Sequence, residues 1–216
     1  MYKLIIFDWD GTLMDSEAKI VSCLRSTIEH LKIEQREDLL LKDIIGLGLT
    51  EAILKLYPDF TEQQIQLFID EYRDQFLEKD TTPSKLFEGV IEMLTGLKQK
   101  GLLLAIATGK GRNGLNRILK KTQLQDVFEC SRCADETVSK PDPQMLTEIL
   151  TELNISAQHS LMIGDTAYDL EMANNIGMKS IAITHGVHSR ERLLAYQPIT
   201  NVSCISELHQ WLNNIR

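Results

Sequence analysis

The sequence predicts an α/β protein whose parallel β-sheet is covered by helices on both faces, and two observations lead to this prediction. Short, continuous apolar runs alternate along the chain with longer segments whose apolar residues recur at helical spacing. Several of these runs end directly in Gly, Thr or Asp, as buried strands do where they lead into loops. Because parallel neighbours require helical crossovers, this alternation favours a single sheet between two helical layers.

The main predicted strands cover residues 3–7, 102–107, 160–163 and 180–183. A shorter strand is expected to open at Val127–Phe128. Between the strands, apolar residues three and four positions apart indicate helices. Asp142 is predicted to be the N-cap of one of these helices, with Pro143 at its first position, and Ile215 is the last apolar position of the final one.

The stretch that follows the first strand breaks the alternation, because it contains helical patterns and no convincing strand. One of its helices opens with the capping-box pattern Thr61-x-x-Gln64. A helical insert after the first strand is expected to lie over the carboxyl edge of the sheet, where such folds bind ligands. We therefore expect two domains: an α/β core of residues 1–14 and 84–216, and an all-helical cap of residues 15–83.

The chain is acidic, which limits its partners. It has 216 residues, and 31 Asp and Glu outnumber 23 Lys and Arg, giving a formal net charge of −8. Nucleic acid and anionic membranes bind basic surfaces, so neither is expected as a partner. No apolar run approaches the length of a membrane span. A monomer is expected, with a weak dimer left open.

Cysteine usage and the N-terminal pattern favour a cytoplasmic protein. Four cysteines in a chain of this length do not form a disulfide scaffold. Cys130 and Cys133 form a C-x-x-C, but no second ligand pair accompanies them, so they are interpreted as structural. Asp8 and Asp10 interrupt the first apolar run, which therefore lacks the layout of a signal peptide.

The segment Asp8-Trp9-Asp10-Gly11-Thr12 is the most informative part of the sequence. In an extended strand, side chains two positions apart share a face, so Asp8 and Asp10 can approach each other. Two close carboxylates repel unless a cation neutralises them or one holds a proton. Oxygen ligands of this kind suit Mg²⁺. The preceding apolar run places both acids at the end of a buried strand.

Three further segments end strands or lie in loops beyond them. Asp165, with Asp169 one helical turn later, can complete the ligand set of a cation, although the pattern also fits a helix N-terminus with an acid in its first turn. Thr108 and Gly109 offer a hydroxyl and backbone N–H groups to an anion, and Lys140 adds a cation. Since the carboxyl ends of parallel strands meet at one edge, these groups are expected to lie together.

These four motifs, in this order along the chain, resemble the haloacid dehalogenase superfamily, in the subgroup whose helical cap follows the first strand. Within it the chain is similar to the phosphoglycolate phosphatase-like hydrolases. The resemblance implies a Rossmann-like parallel sheet core with helices on both faces and an inserted all-helical cap. It also implies a Mg²⁺-dependent phosphatase that acts on a small phosphorylated metabolite, phosphoglycolate-like or sugar-phosphate-like.

The resemblance also implies roles for individual residues. Asp8 takes the position of the nucleophile that forms an aspartyl-phosphate. Asp10 takes that of the acid and base that protonates the leaving oxygen and then activates water. Thr108 and Lys140, with Gly109, match the phosphate-binding positions.

The implied metal site draws on the same strand ends. Asp8, Asp165 and the backbone carbonyl of Asp10 would bind Mg²⁺, and Asp169 would support this set of ligands.

Several alternative functions remain open at this point. A phosphosugar mutase of the β-phosphoglucomutase type or an inorganic pyrophosphatase would fit the same motifs. Mutases of the family tend to carry Val where this chain has Thr12, which favours hydrolysis. Dehalogenases lack the second acid, and Asp10 is present. A phospho-acceptor domain or a binding protein without activity is the alternative from another class, but a phospho-acceptor domain would not need a long helical insert.

Overall fold

The computed structural model describes residues 1–214 of the chain. Its strands are, in chain order, β1 (Leu4–Phe7), β2 (Met14–Asp15), β3 (Lys85–Leu86), β4 (Leu103–Thr108), β5 (Cys130–Cys133), β6 (Ser160–Gly164), β7 (Lys179–Ile183) and β8 (Thr200–Val202). Six of them form one parallel sheet in the order β5-β4-β1-β6-β7-β8. Strand β1 therefore has a neighbour on each side and is fully buried.

The helices are α1 (Glu17–His30), α2 (Asp38–Asp43), α3 (Leu49–Leu56), α4 (Glu62–Asp74), α5 (Val90–Gln99), α6 (Arg112–Thr122), α7 (Gln144–Leu153), α8 (Ala167–Asn174), α9 (Arg190–Leu194) and α10 (Ile205–Asn214). A π-helical turn (Gln75–Lys79) continues α4, and a 3₁₀ turn (Ala157–His159) precedes β6. Within residues 1–214, none of these helices has the length and apolar character needed to cross a membrane.

Helices cover both faces of the sheet, because successive side chains of a strand point to opposite faces. Ile5 and Phe7 of β1 belong to an apolar core that includes residues of α5, α6 and α10. Leu4 and Ile6 belong to a second core, which includes residues of α7 and α8. The predicted α/β class, with a parallel sheet between helical layers, is confirmed.

Two strands of the six-stranded sheet differ from the sequence prediction. The strand expected to open at Val127–Phe128 is β5, which begins at Cys130. Pairing with β4 starts only at Glu129, whose backbone N–H donates to the carbonyl of Leu104 at 2.8 Å. Strand β8 was not predicted, because its single strongly apolar residue, Val202, gives no apolar run.

The start of α7 also differs by one position. Pro143, rather than Asp142, is the N-cap, and the helix begins at Gln144. Asp142 accepts a hydrogen bond from the backbone N–H of Gln144 at 2.9 Å, so it still satisfies a free donor of the first turn. Ile215, predicted as the last apolar position of α10, lies outside the described residues.

Helices α1 to α4 pack around an apolar core of their own, which includes Ile28, Leu41, Ile53 and Phe68. Helix α2 was not anticipated from the sequence. The chain enters and leaves this helical segment through β2 and β3, which pair antiparallel, with Met14 opposite Leu86. This short ribbon was not predicted; it lies at the two ends of the helical segment and holds the two connections side by side.

Candidate active site

Asp8 is the first residue after β1 and is buried at the carboxyl edge of the sheet. Its Oδ1 lies 2.6 Å from Nζ of Lys140, and the same Nζ lies 2.7 Å from Oδ1 of Asp169. The Lys140 side chain is fully buried, so solvent does not screen these ion pairs. The loop before α7 and the first turn of α8 therefore meet at the end of β1.

Asp165, directly after β6, is the third carboxylate of this group. Its Oδ1 accepts a hydrogen bond from the hydroxyl of Thr12 at 2.7 Å, and its Oδ2 accepts one from the backbone N–H of Val187 at 2.9 Å. Asp8, Asp165 and Asp169 each offer an oxygen, and these oxygens lie within 4.8 Å of one another. We call these three residues the carboxylate cluster.

The charges in the carboxylate cluster do not balance. Burial raises the pKa of Asp8 well above its ordinary value; the Lys140 ammonium opposes this shift, whereas the carboxylates of Asp169 and Asp165 reinforce it. Burial, followed by the charge of Asp169, raises the pKa of Asp165 to about 7. Burial alone would lower the pKa of Lys140, but its two carboxylate partners raise it. One ammonium thus faces three carboxyl groups.

A divalent cation fits this environment. Oδ2 of Asp8 is buried and has no hydrogen-bond partner among residues 1–214, although a buried polar atom normally has one, so this oxygen is left for a group from outside the chain, either a cation or the substrate. The atoms available to bind a metal are all carboxylate oxygens, the ligands that Mg²⁺ prefers. A bound cation would also supply the positive charge that the cluster lacks. Within the carboxylate cluster, both oxygens of Asp169 already have partners: Lys140 contacts Oδ1, and the Thr166 hydroxyl donates to Oδ2 at 2.7 Å.

The carboxylate of Asp10 lies outside the carboxylate cluster and has other partners. Its Oδ1 accepts a hydrogen bond from the hydroxyl of Ser16 at 2.7 Å, and its Oδ2 lies 2.8 Å from Nζ of Lys110. The expectation that Asp10 binds the metal concerned its backbone carbonyl, and it stays a prediction. Its side chain, largely but not completely buried, lies at the wall of a cavity.

This cavity has a volume of about 450 Å³ and lies between the carboxyl edge of the sheet and helices α1, α3 and α4. We call it the main cavity. The sheet edge contributes Asp8, Asp10, Thr108, Gly109 and Lys110. The helical segment contributes an apolar wall that includes Leu24, Leu47, Ile69, Tyr72 and Phe76. The wall of the main cavity is therefore charged on the side of the sheet and apolar on the side of the helical segment.

The loop between α2 and α3 lies directly on the sheet edge. A Cβ atom at Gly109 would collide with the carbonyl oxygens of Gly46 and Leu47, so only glycine allows this approach. Gly46 itself has a φ of 101°, a conformation that favours glycine. The backbone N–H of Gly48 donates to Oγ of Ser139 at 2.7 Å, which ties this loop to the segment that carries Lys140.

A second contact joins α2 to the far side of the site. The hydroxyl of Tyr168, on α8, donates to the backbone carbonyl of Asp43 at 2.8 Å. The carboxylate of Asp43 forms ion pairs with Lys55 on α3 and with Arg192 on α9. Helix α2 is thus connected to α8 and α9 through polar contacts.

The structure brings most of the predicted site residues to one place. It groups Asp8, Lys140, Asp165 and Asp169, and it places Asp10, Thr108 and Gly109 on the wall of the main cavity. Sequence reasoning missed Ser16 as a partner of Asp10, and it assigned Lys110 no role. The helix N-terminus considered for Asp169 is also present, because Thr166 and Asp169 form a capping box. Asp169 therefore has both a capping contact and an ion pair.

Cys130 and Cys133 lie outside this site. Both thiols are free. Burial raises the pKa of Cys130 to about 11 and that of Cys133 to about 12. Since the thiolate is the reactive and metal-binding form, these values agree with the structural interpretation.

Comparison with known proteins assigns the chain to a family. The sequence profile described as haloacid dehalogenase-like hydrolase matches residues 5–183. The chain is 32% identical to the probable phosphatase IndB of Dickeya dadantii, over 96% of this chain and 92% of the relative. It is 30% identical to the pyrophosphatase PpaX of Bacillus mycoides, over 98% of this chain and 97% of the relative.

A solved structure supports the same assignment. The crystal structure of a predicted phosphatase from Clostridium acetobutylicum superposes with a TM-score of 0.88 at 28% sequence identity, and each chain is covered in full. The chain therefore belongs to the haloacid dehalogenase-like hydrolases, and it is a phosphatase.

Proposed function

We propose that this protein hydrolyses the phosphate ester of a small metabolite, with Asp8 as nucleophile, Asp10 as acid and base, and Mg²⁺ as cofactor. One observation carries this proposal. Oδ1 of Asp8 is fixed by Lys140, whereas Oδ2 has no partner among residues 1–214, and the residue lines the main cavity. One oxygen is thus anchored and the other is available for attack.

In the first step, Oδ2 of Asp8 attacks the phosphorus atom and the bond from phosphorus to the leaving oxygen breaks. Asp10 donates a proton to that oxygen, so the alcohol leaves neutral and Asp8 carries the phosphoryl group. Thr108 and Gly109, on the wall of the same cavity, are proposed to hold the phosphoryl oxygens. Lys140 is proposed to keep Asp8 oriented toward the phosphorus, since it contacts Oδ1.

In the second step, the carboxylate of Asp10 takes a proton from water, and the water oxygen attacks the same phosphorus. The bond between phosphorus and Asp8 breaks, which releases inorganic phosphate and regenerates both carboxyl groups. Ser16 and Lys110 fix the two oxygens of Asp10 before substrate binds. Phosphoryl transfer depends chiefly on positioning and charge stabilisation, which this arrangement supplies.

Asp8 and Asp165 are proposed to hold Mg²⁺, with Asp169 supporting them and the Asp10 carbonyl as a further ligand. When bound, the cation supplies positive charge that stabilises phosphoryl oxygens in the transition state. The carboxylate cluster supports this assignment, because its three acids are buried with a single ammonium.

We further propose that residues 15–83 act as a cap that encloses the substrate. Their helices line one side of the main cavity, whose volume of about 450 Å³ suits a small metabolite rather than a protein. The cysteines among the described residues are free thiols, which suits a reducing compartment, so we propose a cytoplasmic location.

Inorganic pyrophosphate is the second candidate substrate. It is favoured by the relative named as a pyrophosphatase, which is 30% identical over nearly the whole chain. Lys110 and Arg73, both at the main cavity, offer cations for the phosphate that leaves. An apolar wall is not needed to bind pyrophosphate, and its presence here makes an organic ester the first choice.

The proposed function is tested with a panel of phosphate esters and pyrophosphate, measured with Mg²⁺ and with a chelator. Acid quench during turnover, followed by peptide mass spectrometry, should locate a phosphoryl group on Asp8. The Asp8→Asn variant should retain its fold and lose turnover. Turnover near the parent rate in this variant, or phosphorylation at another residue, would contradict the mechanism.

A further inference from the structure

A second cavity, of about 330 Å³, adjoins the main cavity on the side of α6. The two cavities share Asp10, Phe76, Leu77, Lys110 and Gly114 in their walls. The second cavity then continues along α6 past Arg117 to Lys121. Since a helix rises about 1.5 Å per residue, the groove from Gly114 to Lys121 is on the order of 10 Å long.

Positive side chains dominate the wall of the second cavity. They are Lys19, Lys110, Arg117 and Lys121, against the two acids Asp10 and Asp80. This local excess contrasts with the net charge of −8 of the whole chain. A concave surface lined by one sign of charge concentrates ligands of the opposite sign. The second cavity therefore favours an anion within a protein that otherwise repels anions.

The two acids already have partners. Oδ2 of Asp80 accepts a hydrogen bond from the hydroxyl of Ser22 at 2.6 Å, and Oδ1 accepts one from the backbone N–H of Thr82 at 2.8 Å. Nζ of Lys19 lies 3.6 Å from Oδ1 of Asp80. Asp10 is paired with Lys110 and Ser16, as described above. Two of the four cations are thus engaged with these acids.

Arg117 and Lys121 remain available to a ligand. Arg117 forms an ion pair with Glu78 at 3.4 Å and a hydrogen bond to the carbonyl of Leu77 at 3.4 Å. Both partners of the ion pair are largely exposed, and exposed ion pairs contribute little to stability, so a phosphate group can replace this one. The side-chain ammonium of Lys121 has no hydrogen bond or ion pair within residues 1–214, and this side chain lines the second cavity. The two residues lie four positions apart on α6, so they share a face of the helix.

We propose that the second cavity binds a second phosphate group of the substrate, through Arg117 and Lys121. This inference rests on the proposed function and narrows it. The preferred substrates are small organic bisphosphates, with one phosphate at Asp8 and the other beside Arg117 and Lys121 on α6. Arg and Lys are the side chains that bind phosphate in proteins, Arg through paired N–H donors and Lys as a point charge.

The test compares a bisphosphate with monophosphates in matched variants. Fructose 1,6-bisphosphate, fructose 1-phosphate and fructose 6-phosphate are the substrates, and the variants are Arg117→Gln, Lys121→Gln and the double variant. The ratio of kcat/KM for the bisphosphate to that for either monophosphate should fall about threefold in each single variant and about tenfold in the double variant. Lys120→Gln, which removes a neighbouring lysine outside the cavity, should leave the ratio unchanged.

Binding is measured separately from turnover, so that the inference and the proposed function can fail independently. In the Asp8→Asn background, titration calorimetry should show the bisphosphate binding more tightly than either monophosphate, and this preference should fall about tenfold when Arg117 and Lys121 are both replaced. Absence of turnover in the parent, with this binding pattern intact, would reject the proposed function alone.

Other results would overturn the inference. They are the lack of a bisphosphate preference in the parent, and an equal preference in the parent and the double variant. A third is a particular effect of sulfate on the rate of p-nitrophenyl phosphate hydrolysis. Sulfate would change this rate without acting as a competitive inhibitor, and the effect would be lost in Lys121→Gln. That result would identify a site for free anions rather than for a substrate phosphate.

Discussion

Gly109 lies so close to the backbone carbonyl of Leu47 that a single methyl group on it would collide with that oxygen. The contact joins the loop after β4 to the loop between α2 and α3. Thr108 is the last residue of β4 and therefore lies next to this contact. Gly109→Ala should therefore force the two loops apart. We expect kcat/KM for small phosphate esters to fall tenfold or more, because a misplaced loop disturbs substrate positioning.

The control for this variant is Gly96→Ala. Gly96 lies in α5, where an added Cβ would meet only the end of the His209 side chain, and alanine is a better helix former. Gly96→Ala should keep the activity of the parent. Equal activity in Gly109→Ala and Gly96→Ala would show that close contact between the two loops is not needed for turnover.

Lys140→Met removes the only cation in contact with Asp8 and Asp169 within residues 1–214. Breaking a buried ion pair leaves an uncompensated charge and typically costs about 3–5 kcal/mol. We expect a loss of this order in the free energy of unfolding, measured by urea denaturation with a chelator present. Lys98→Met, which removes a partly exposed ion pair with Glu129, should cost about 1 kcal/mol or less.

Saturating Mg²⁺ should reduce the loss in Lys140→Met, because the cation would replace part of the missing positive charge. A variant as stable as the parent in the chelator would contradict the charge imbalance inferred for the carboxylate cluster.

The position of the carboxylate cluster was predictable because it follows from the order of strands. Asp8 and Asp165 each come directly after a buried apolar run, and parallel strands bring their carboxyl ends to one edge. Predicting that these two acids lie close together requires no knowledge of long-range contacts beyond this rule. Lys140 and Asp169 were expected at the same edge on weaker grounds, since a lysine in a loop or an acid in the first turn of a helix is common elsewhere, and their individual roles came from the family resemblance.

Contacts between the helical segment and the sheet were not predictable in the same way. The approach of Gly46 to Gly109 depends on how two separate apolar cores pack, and no local pattern encodes that geometry. The ion pair of Lys110 with Asp10 depends likewise on how the loop after β4 meets the turn after Asp10, which no local pattern encodes. Strands β5 and β8 were displaced or missed because neighbouring strands, rather than their own apolar content, stabilise them.

The pH dependence of stability follows from the raised pKa of Asp165, about 7 in the folded protein without metal. The unfolded value is about 3.9, so the folded state binds the proton more tightly. This contribution to stability is complete below pH 4 and is lost as the pH rises through 7. The free energy of unfolding in a chelator should therefore fall with pH by up to about 1.4 kcal/mol per unit.

Denaturation at pH 5, 6, 7 and 8 measures this slope. Asp8, whose pKa is also raised by burial, adds to it in the same direction. Asp165→Asn, which cannot ionise, should show a shallower slope than the parent in the chelator. Saturating Mg²⁺ should remove the decline in the parent, because a bound cation favours the ionised carboxylates. Stability that rises from pH 5 to 7 without metal would contradict the raised pKa.

Thr12 donates to Oδ1 of Asp165, the carboxylate proposed as a metal ligand. Thr12→Val keeps the approximate volume and removes this hydrogen bond, while the contact of Asp165 with the backbone N–H of Val187 remains. Loss of a partner that orients a ligand typically lowers metal affinity 10- to 100-fold. We expect the Mg²⁺ concentration for half-maximal activity to rise about tenfold, and the Mg²⁺-dependent increase in Tm to require correspondingly more cation.

Thr147→Val, on an exposed turn of α7, is the control and should match the parent. An unchanged Mg²⁺ requirement in Thr12→Val would mean that Asp165 is held by the backbone alone or does not bind the metal.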